Sequence, residues 1–569
     1  MMDTLSVATG QKVAAEWLGD FASALEARDA EAVRKLFLPD GHWRDILALT
    51  WDLRTFSGPD RIAAGLLEAA RTPLNLALED GGPQIYERRN WGRTIETFVT
   101  FETDYAWCRA HLRLLSDGER WRAWTLCTSM EQLKGFEERA GHHRPTEVGQ
   151  GAESEPRDPR VLVIGAGQAG LTVAARLGRL NVDTLVIERE ARVGDNWRNR
   201  YQSLVLHNQV WANHLPYLPF PSSWPVYITK DQLADWLETY ASILPLNVWT
   251  SAEVLDAAYD ERQGLWTVRV RREDGTVRTL RPRHLVQATG VFGVPDRPEI
   301  RGAEDFRGVL THATEYRGAA EHEKGLRVLV VGSGSSAHDV AQDLCEAGAH
   351  VTMLQRSSTC VVSVDPGAAR AYSIYAEDGI PLRDADLINN AFPFPLLAEL
   401  HKEMTRRIAD MDAALLDGLR RAGFALDFGE DGSGFLMKYH RHGGGYYINV
   451  GCSDLIAAGR VRVKQGVEIE RLTADSAVFT DGDRLEVDMV VVATGYQNMS
   501  ESIRMLLGDE VADRVGPVWG LDAEGEVRAM WRRTGQPGFW LAGGSLQQCR
   551  PYSKYLALQI KGEEERLIG

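Results

Sequence analysis

Two short glycine-rich turns, each set between an apolar run and a helix-like run, constrain this chain more than any other feature. The first is GAGQAG, from Gly165 to Gly170, and the second is VVGSGSSA, with Gly332, Gly334 and Ala337 in matching places. Glycine there lets the backbone turn tightly and approach a pyrophosphate, whose charge is drawn to the N–H groups opening the next helix. A lone G-x-G-x-x-G says little, so the flanks decide. RVLVIGAGQAGLTVAARLGRLNVDTLVIERE reads as a strand over Val161 to Ile164, the turn, a helix through Leu171 to Leu177, and a strand over Leu185 to Ile187 that runs into Glu188. A carboxylate at that place accepts both hydroxyls of a ribose. LRVLVVGSGSSAHDVAQDLCEAGAHVTMLQRSS has the same grammar, but its second strand, Val351 to Leu354, runs into Gln355, Arg356 and Ser357 with no acid. A guanidinium there pairs with a 2′-phosphate, which predicts FAD at the first turn and NADPH at the second; a solvated surface arginine is the alternative for Arg356.

At 569 residues the chain exceeds what one hydrophobic core supports, and roughly two to four domains are expected. Residues 1–138 have a separate character. Ala14 to Ala27 and Glu31 to Phe37 read as amphipathic helices, Thr94 to Phe101, Trp107 to Leu115 and Trp121 to Cys127 as strands, and Asp117-Gly118 as a hairpin turn. A linker is expected at 139–159, where the chain from His142 to Arg160 is polar and rich in Pro, Gly and Glu. The body divides into 160–322 (FAD domain, first part), 323–489 (NADPH domain, with a helical insertion at 365–451) and 490–569 (FAD domain, second part). In the insertion Leu397, Leu400, Met404, Ile408, Met411, Leu415 and Leu419 recur every three to four residues, predicting one long helix buried against a neighbouring domain. The following GFLMKYHRHGGGYYINVG reads as a loop over the active cleft.

Sixty-four basic against 80 acidic residues give a net charge of −16 with no basic stripe, which argues against nucleic acid or an anionic membrane as partner. Cys108, Cys127, Cys345, Cys360, Cys452 and Cys549 include no C-x-x-C pair, so neither a disulfide framework nor a zinc site is signalled and a reducing cytoplasm is expected. MMDTLSVATGQKVAAEW lacks a charged segment followed by an apolar core, and no uncharged apolar run reaches spanning length, so no stable membrane anchor is expected.

Just before the second turn, Phe306, Gly308, His312 and Tyr316 spell F-x-G-x-x-x-H-x-x-x-Y. Over residues 160 to 569 the chain resembles the flavin-containing monooxygenases, whose fingerprint this is; their Baeyer–Villiger relatives usually carry Trp at the last position. The run FASALEARDAEAVRKLFLPDGHWRDILALTWDLRTFSG resembles the start of an NTF2-like (SnoaL-like) domain, and an appended domain of this kind is what the type II members look like. Trp43, Asp45 and Trp51 are candidates to line its cavity, with core packing as their ordinary role. The resemblance implies an α/β fold class: two Rossmann-like dinucleotide-binding domains, for FAD and NADPH, preceded by a small α+β NTF2-like domain.

Other positions agree. Gly194-Asp195-Asn196-Trp197-Arg198 is similar to the family's G-G-x-W motif, where the chain wraps the flavin, with Asp195 in place of the second glycine. Ala288-Thr289-Gly290 and Ala493-Thr494-Gly495-Tyr496 resemble the A-T-G crossings between domains, and Gly543-Gly544 the segment that meets the flavin ring. The cofactor-binding candidates are therefore Gly165, Gly167, Gln168, Gly170, Glu188, Asn196, Trp197, Arg198, Thr289, Gly332, Gly334, Ser335, Ser336, Arg356, Ser357, Thr494, Gly495, Gly543 and Gly544. Catalytic candidates are His207, Asn208, His312, Gln548 and Arg550. The family's active-site Asn follows by six residues a Tyr matching Tyr201; that place is His207, with Asn208 next, and plant auxin-forming relatives also carry Leu-His here. For His312 both an acid–base role and a structural role at the domain junction stay open.

The resemblance implies an NADPH- and O2-dependent flavoprotein monooxygenase. In such enzymes NADPH reduces FAD, and oxygen added at flavin C4a as a (hydro)peroxide is passed to a small organic substrate. The protonated form oxygenates an amine or sulfide; the deprotonated form performs Baeyer–Villiger oxidation of a ketone. NADH acceptance and a homodimer are left open. Two other readings stand beside it: a two-dinucleotide reductase, which needs a redox cysteine pair beside the flavin, and a non-catalytic flavoprotein whose N-terminal domain binds a ligand.

Overall fold

The computed structural model describes residues 6–71, 74–88, 92–144, 158–291, 293–320, 323–376 and 379–568. Most of the expected linker, 145–157, lies outside them. The first unit opens with the helix Val7–Glu26, whose start is capped by Ser6 accepting from the Thr9 amide at 3.2 Å. The second helix is shorter than its periodicity suggests, Ala30–Lys35, because Phe37 already belongs to the first strand, Phe37–Ile46. A seven-stranded, mostly antiparallel sheet follows in the order Leu53–Ser57, Phe37–Ile46, Trp121–Leu133, Ala106–Ser116, Gly92–Glu102 and Ala77–Leu78, with Gln84–Arg88 also pairing Gly92–Glu102. Asp117 makes the expected turn, its carboxylate accepting from the Glu119 and Arg120 amides.

Inside this unit lies a small void. The cavity bounded by Trp17, Phe21, Leu66, Val99, Phe101 and Leu126 measures about 10 Å³, no more than one water needs. Trp43 donates to Thr128 Oγ1 at 2.9 Å, and the buried Asp45 accepts from the Leu49 and Thr50 amides and from both threonine hydroxyls, Thr50 and Thr128. Trp51 packs on Tyr105, ring centres 4.8 Å apart. All three serve packing rather than a ligand chamber.

The body contains two parallel sheets. One runs Val248–Trp249, Thr184–Ile187, Val161–Ile164, His284–Gln287, Phe539–Leu541; the other runs Val309–His312, Met489–Val492, Arg327–Val331, His350–Gln355, Arg462–Gln465. Their central strands are continuous apolar runs because helices or loops cover both faces. Val161, Leu162, Val163, Leu329 and Val330 are fully buried, each contributing roughly 1.5–3 kcal/mol of hydrophobic stabilisation. The expected domain limits need two corrections. Val309–His312 precedes residue 322 yet forms the edge of the second sheet, and a limit at 489 cuts Met489–Val492, which is central to that sheet.

The insertion also departs from expectation. The apolar stripe is carried by two helices, Phe394–Met411 and Ala413–Arg421, which meet at the buried Asp412. Asp412 accepts a hydrogen bond from the Ser363 amide at 2.8 Å, a tertiary partner for the break. The segment expected as a loop is instead the helix Gly434–His442, ended by Gly443 at φ +74°, and the strand Tyr446–Asn449, paired in parallel with Cys360–Ser363. Strand pairing to a distant segment overrode the local glycine signal.

Candidate active site

The two glycine turns are built alike. Gly165 has φ +104° and Gly332 φ +122°, conformations that suit only glycine. A Cβ on Gly165 would stand 2.6 Å from the carbonyl oxygen of Ala288, and one on Gly332 would stand 2.4 Å from that of Ala493. Each turn is therefore closed by the alanine of one A-T-G crossing. Gly170 packs so tightly on the Gly165 carbonyl that a Cβ would overlap it. The helices that follow, Gln168–Arg179 and Ser335–Glu346, start at Gly167 and Gly334 with no side-chain cap. Their first N–H groups stay available to phosphate oxygens, so both sites fit a dinucleotide.

Glu188 follows the second strand of the first unit and accepts from the Ala166 amide at 2.7 Å and the Glu190 amide at 2.9 Å, which fixes its carboxylate beside the turn. The place corresponding to Glu188 in the second unit is Gln355, and one residue further on Arg356 is exposed, with only a loose 3.6 Å pairing to Glu468. Ser357 beside it is exposed, whereas Gln355 is buried and bonded to both backbone groups of Ala425. Ser335 and Ser336 occupy the first turn of the second helix.

Gly194, at φ +92°, packs against the Ala234 carbonyl and opens the short helix Asp195–Arg198. Asn196 faces Gly167, its Nδ2 3.3 Å from where a Cβ would be. Trp197 Nε1 donates to Gln168 Oε1 at 3.3 Å, and Gln168 Nε2 donates to the Gly544 carbonyl at 3.3 Å. That chain brings three expected flavin-side residues together. Arg198 is a correction: its guanidinium is held by Asp195, Asp235 and Glu238 at 2.9 Å each and by the Val193 carbonyl at 2.8 Å, in a network separate from the turn.

At the junction Thr289 Oγ1 accepts from Gln287, Thr494 Oγ1 donates to the Asp296 carbonyl at 2.7 Å, and the Gly495 carbonyl accepts from the Asp296 amide. His312 ends the edge strand; its Nδ1 accepts from the Thr314 hydroxyl at 2.8 Å and the Thr314 amide at 3.2 Å, and burial lowers its pKa. These contacts fit the structural role at Nδ1, while Nε2 is buried with no hydrogen-bond partner among the described residues. Sequence reasoning missed the neighbouring Tyr201–Asp339 hydrogen bond between the two halves, where burial raises the carboxyl to about 6. An acidic residue inside the helix after the second turn was its only signal.

The closing segment meets the insertion. Gly543 lies against Val291, and Gly544, at φ +122°, against Gln548. Ser545 and Gln548 form a capping box for the helix Leu546–Glu564. Gln548 Oε1 also accepts from the hydroxyl of Tyr439 at 2.7 Å, a residue of the insertion helix that the sequence showed only as part of a glycine- and tyrosine-rich stretch. Gln548 is thus held in place by the cap. Arg550, expected as catalytic, is engaged throughout: it clasps Asp386 at 2.7 and 2.8 Å and donates to the carbonyls of Ala212 and His214.

His207 is different. Burial alone lowers it to about 4, so it is a neutral imidazole at physiological pH. Asn208 meets the hydroxyl of Tyr372 with its side chain, while its buried Oδ1 has no partner among the described residues. All six cysteines are free and buried, and burial pushes the Cys127 and Cys360 thiols up to about 12. With all six buried, no exposed thiol accompanies the two dinucleotide sites among the described residues.

The pyridine nucleotide-disulphide oxidoreductase family profile matches residues 162–369. Indole-3-pyruvate monooxygenase YUCCA1 of Oryza sativa subsp. japonica is 32% identical over 341 residues, 60% of this chain and 77% of that protein. The probable indole-3-pyruvate monooxygenase YUCCA8 of Arabidopsis thaliana is 31% identical over 343 residues, 59% and 74% of the two chains. Two solved structures share the fold at a TM-score of 0.53. They are oxidized steroid monooxygenase bound to NADP (20% identity, 72% of this chain, 85% of that one) and cyclohexanone monooxygenase from Rhodococcus sp. Phi1 bound to NADP+ (17%, 72%, 85%). With both turns closed on their A-T-G crossings and most of a monooxygenase's length matched, the chain belongs to the flavin-containing monooxygenase family, enzymes that use FAD, NADPH and O2.

Proposed function

We propose that this NADPH- and O2-dependent flavoprotein monooxygenase oxygenates a small organic substrate, at a soft heteroatom or beside a ketone carbonyl. The reacting site lies where His207 and Asn208, the Gly543–Gly544 segment and the insertion converge. One observation carries the reading: two uncapped helix N-termini in one chain, each behind a glycine turn closed by an A-T-G alanine. Bound FAD supplies hydride acceptance and oxygen activation.

The chain's own residues bind, orient and shield. Gly165, Gly167, Gly170 and Glu188 hold the adenosine end of FAD, and Gln168, Asn196 and Trp197 fix the first helix relative to Gly544. Gly332, Gly334, Ser335 and Ser336 receive the second dinucleotide, and Arg356, with Ser357, reaches its 2′-phosphate, which supports NADPH over NADH. Neutral His207 orients or relays a proton at an imidazole nitrogen without adding charge, and the Asn208 carboxamide oxygen accepts a hydrogen bond. Tyr372 and Tyr439 bring the insertion onto this surface, where water exclusion favours oxygen transfer over loss as hydrogen peroxide.

The helix-then-curved-sheet order supports an NTF2-like name for the first unit, and six free buried cysteines support a cytoplasmic site of action. The test presents purified protein, NADPH and O2 with a thioether and a cyclic ketone. Sulfoxide, lactone or both supports the proposal and selects the mode. NADPH consumed with hydrogen peroxide as the sole product from every substrate points to an oxidase instead.

A further inference from the structure

We infer that the N-terminal domain holds the helical insertion over the reacting site, and that Arg109 and Asp384 are positioning residues for coupling NADPH oxidation to oxygen transfer. The inference rests on the monooxygenase reading above.

Along the strand Ala106–Ser116, Ala110, Leu112 and Leu114 point into the domain's own core while Arg109, His111 and Arg113 point to the other face of the sheet. That face is also buried, Arg109 at 4% and Arg113 at 0% exposure, and buried charge is tolerated only when paired. Arg113 is paired within the domain, to Glu96 of the adjacent strand at 2.8 Å, and its remaining donors, with Arg109, reach the insertion helix Leu382–Asn390. Arg113 donates to the carbonyls of Ile388 at 3.2 Å and Ala391 at 3.1 Å, and Arg44, two strands away on Phe37–Ile46, donates to that of Asn390 at 2.8 Å. Two arginines thus satisfy the carbonyls at a helix C-terminus and complement its dipole. In the first turn of the same helix Asp384 accepts from Arg109 at 2.5 Å, and Glu79 holds the rest of that guanidinium.

The helix's other side faces the flavin domain. Asp386 is clasped by Arg550, and Asn390 Oδ1 accepts from Tyr552 at 3.0 Å. Just upstream, Tyr375 accepts from Gln547 at 2.8 Å, and Tyr372 meets Asn208. Tyr375 packs with Ala385 of this helix, so whatever displaces the helix moves Tyr375 and, on the same helical turn, Tyr372 at the reacting site. The glycine turns lie elsewhere, so loosening the clamp admits water without removing either dinucleotide.

Asp384→Ala breaks the clamp from the insertion side and Arg109→Ala from the domain side, with Asp384→Glu as conservative rescue. Flavin content, NADPH oxidation, and hydrogen peroxide and oxygenated product per NADPH are measured for each holoenzyme with a substrate the wild type accepts. The inference predicts normal flavin content, unchanged KM for NADPH, and product per NADPH reduced about threefold or more, with partial recovery in Asp384→Glu. Unchanged product yield in both alanine variants overturns it, as does flavin loss in Asp384→Ala. Hydrogen–deuterium exchange supplies a readout independent of substrate: residues 379–391 exchange faster in Asp384→Ala while Arg327–Val331 does not, and unaltered exchange at 379–391 also overturns the inference. If the wild type gives no oxygenated product at all, the proposed function fails while the exchange arm still judges the clamp.

Discussion

Gly165 and Gly167 share a motif but do different work. An added Cβ at Gly165 meets a backbone carbonyl at 2.6 Å at a left-handed φ, whereas at Gly167 it meets only Asn196 Nδ2 at 3.3 Å with an ordinary φ of −77°. Gly165→Ala should therefore lose about 1–3 kcal/mol of stability together with its flavin, while Gly167→Ala folds normally and binds flavin more weakly; thermal melts with flavin-to-protein ratios separate the two. Arg356→Ala should raise KM for NADPH about tenfold, the worth of one charge-assisted contact, and leave KM for NADH near its starting value. Steady-state kinetics with both coenzymes decides, and equal effects remove Arg356 from the site. A third expectation concerns acid. Burial lowers His401 to about 4 and His440 to about 3, both in the insertion. These groups are neutral when folded, so their contribution is intact above the unfolded value near 6.5 and is lost as pH falls from there towards 4. Denaturant melts at pH 7 and pH 5.5 should show a loss on the order of 1 kcal/mol per histidine, shallower in His401→Gln/His440→Gln. Asp339, raised to about 6, works in the opposite sense over the same window, because its folded form takes up the proton first.

The strands and helices around both glycine turns were legible because apolar runs of four or five residues, glycines and an amphipathic helix follow in a fixed order that local sequence sets. The fates of Arg550, Arg198 and Gln548 were not, because a charged or amide side chain near a motif looks the same whether it faces a cofactor or a distant carboxylate. Asp386 lies in the insertion, far along the chain from its partner, and no spacing rule links it to Arg550. The insertion was misread for a similar reason: its stripe of Leu, Met and Ile shows helix but not the break at Asp412, whose partner is the Ser363 amide. The closed network makes a prediction of its own. Arg550→Ala leaves Asp386 buried without its guanidinium and should cost about 3–5 kcal/mol of stability, with turnover falling because folded holoenzyme falls. An Arg550→Ala protein of wild-type stability and no activity would restore the arginine to catalysis.

The N-terminal domain is joined to the body by buried charge rather than by a thin tether. Arg44 and Glu526 pair at 2.7 Å with side chains 3% and 1% exposed, Thr55 also donates to Glu526, and Arg532 pairs with Asp52. Expression of residues 158–569 alone should accordingly yield aggregated or flavin-poor protein, since Glu526, Asp384 and three helix carbonyls lose their donors; size-exclusion profiles against the full chain check this. The account as a whole requires two coenzymes held by one chain closely enough for hydride to pass between them. Anaerobic addition of NADPH to the yellow holoprotein tests that most directly. Stoichiometric bleaching of the flavin absorbance, reversed on admitting oxygen, is the predicted result. Protein that carries no flavin after reconstitution, or flavin that stays oxidised under excess NADPH, would contradict the account.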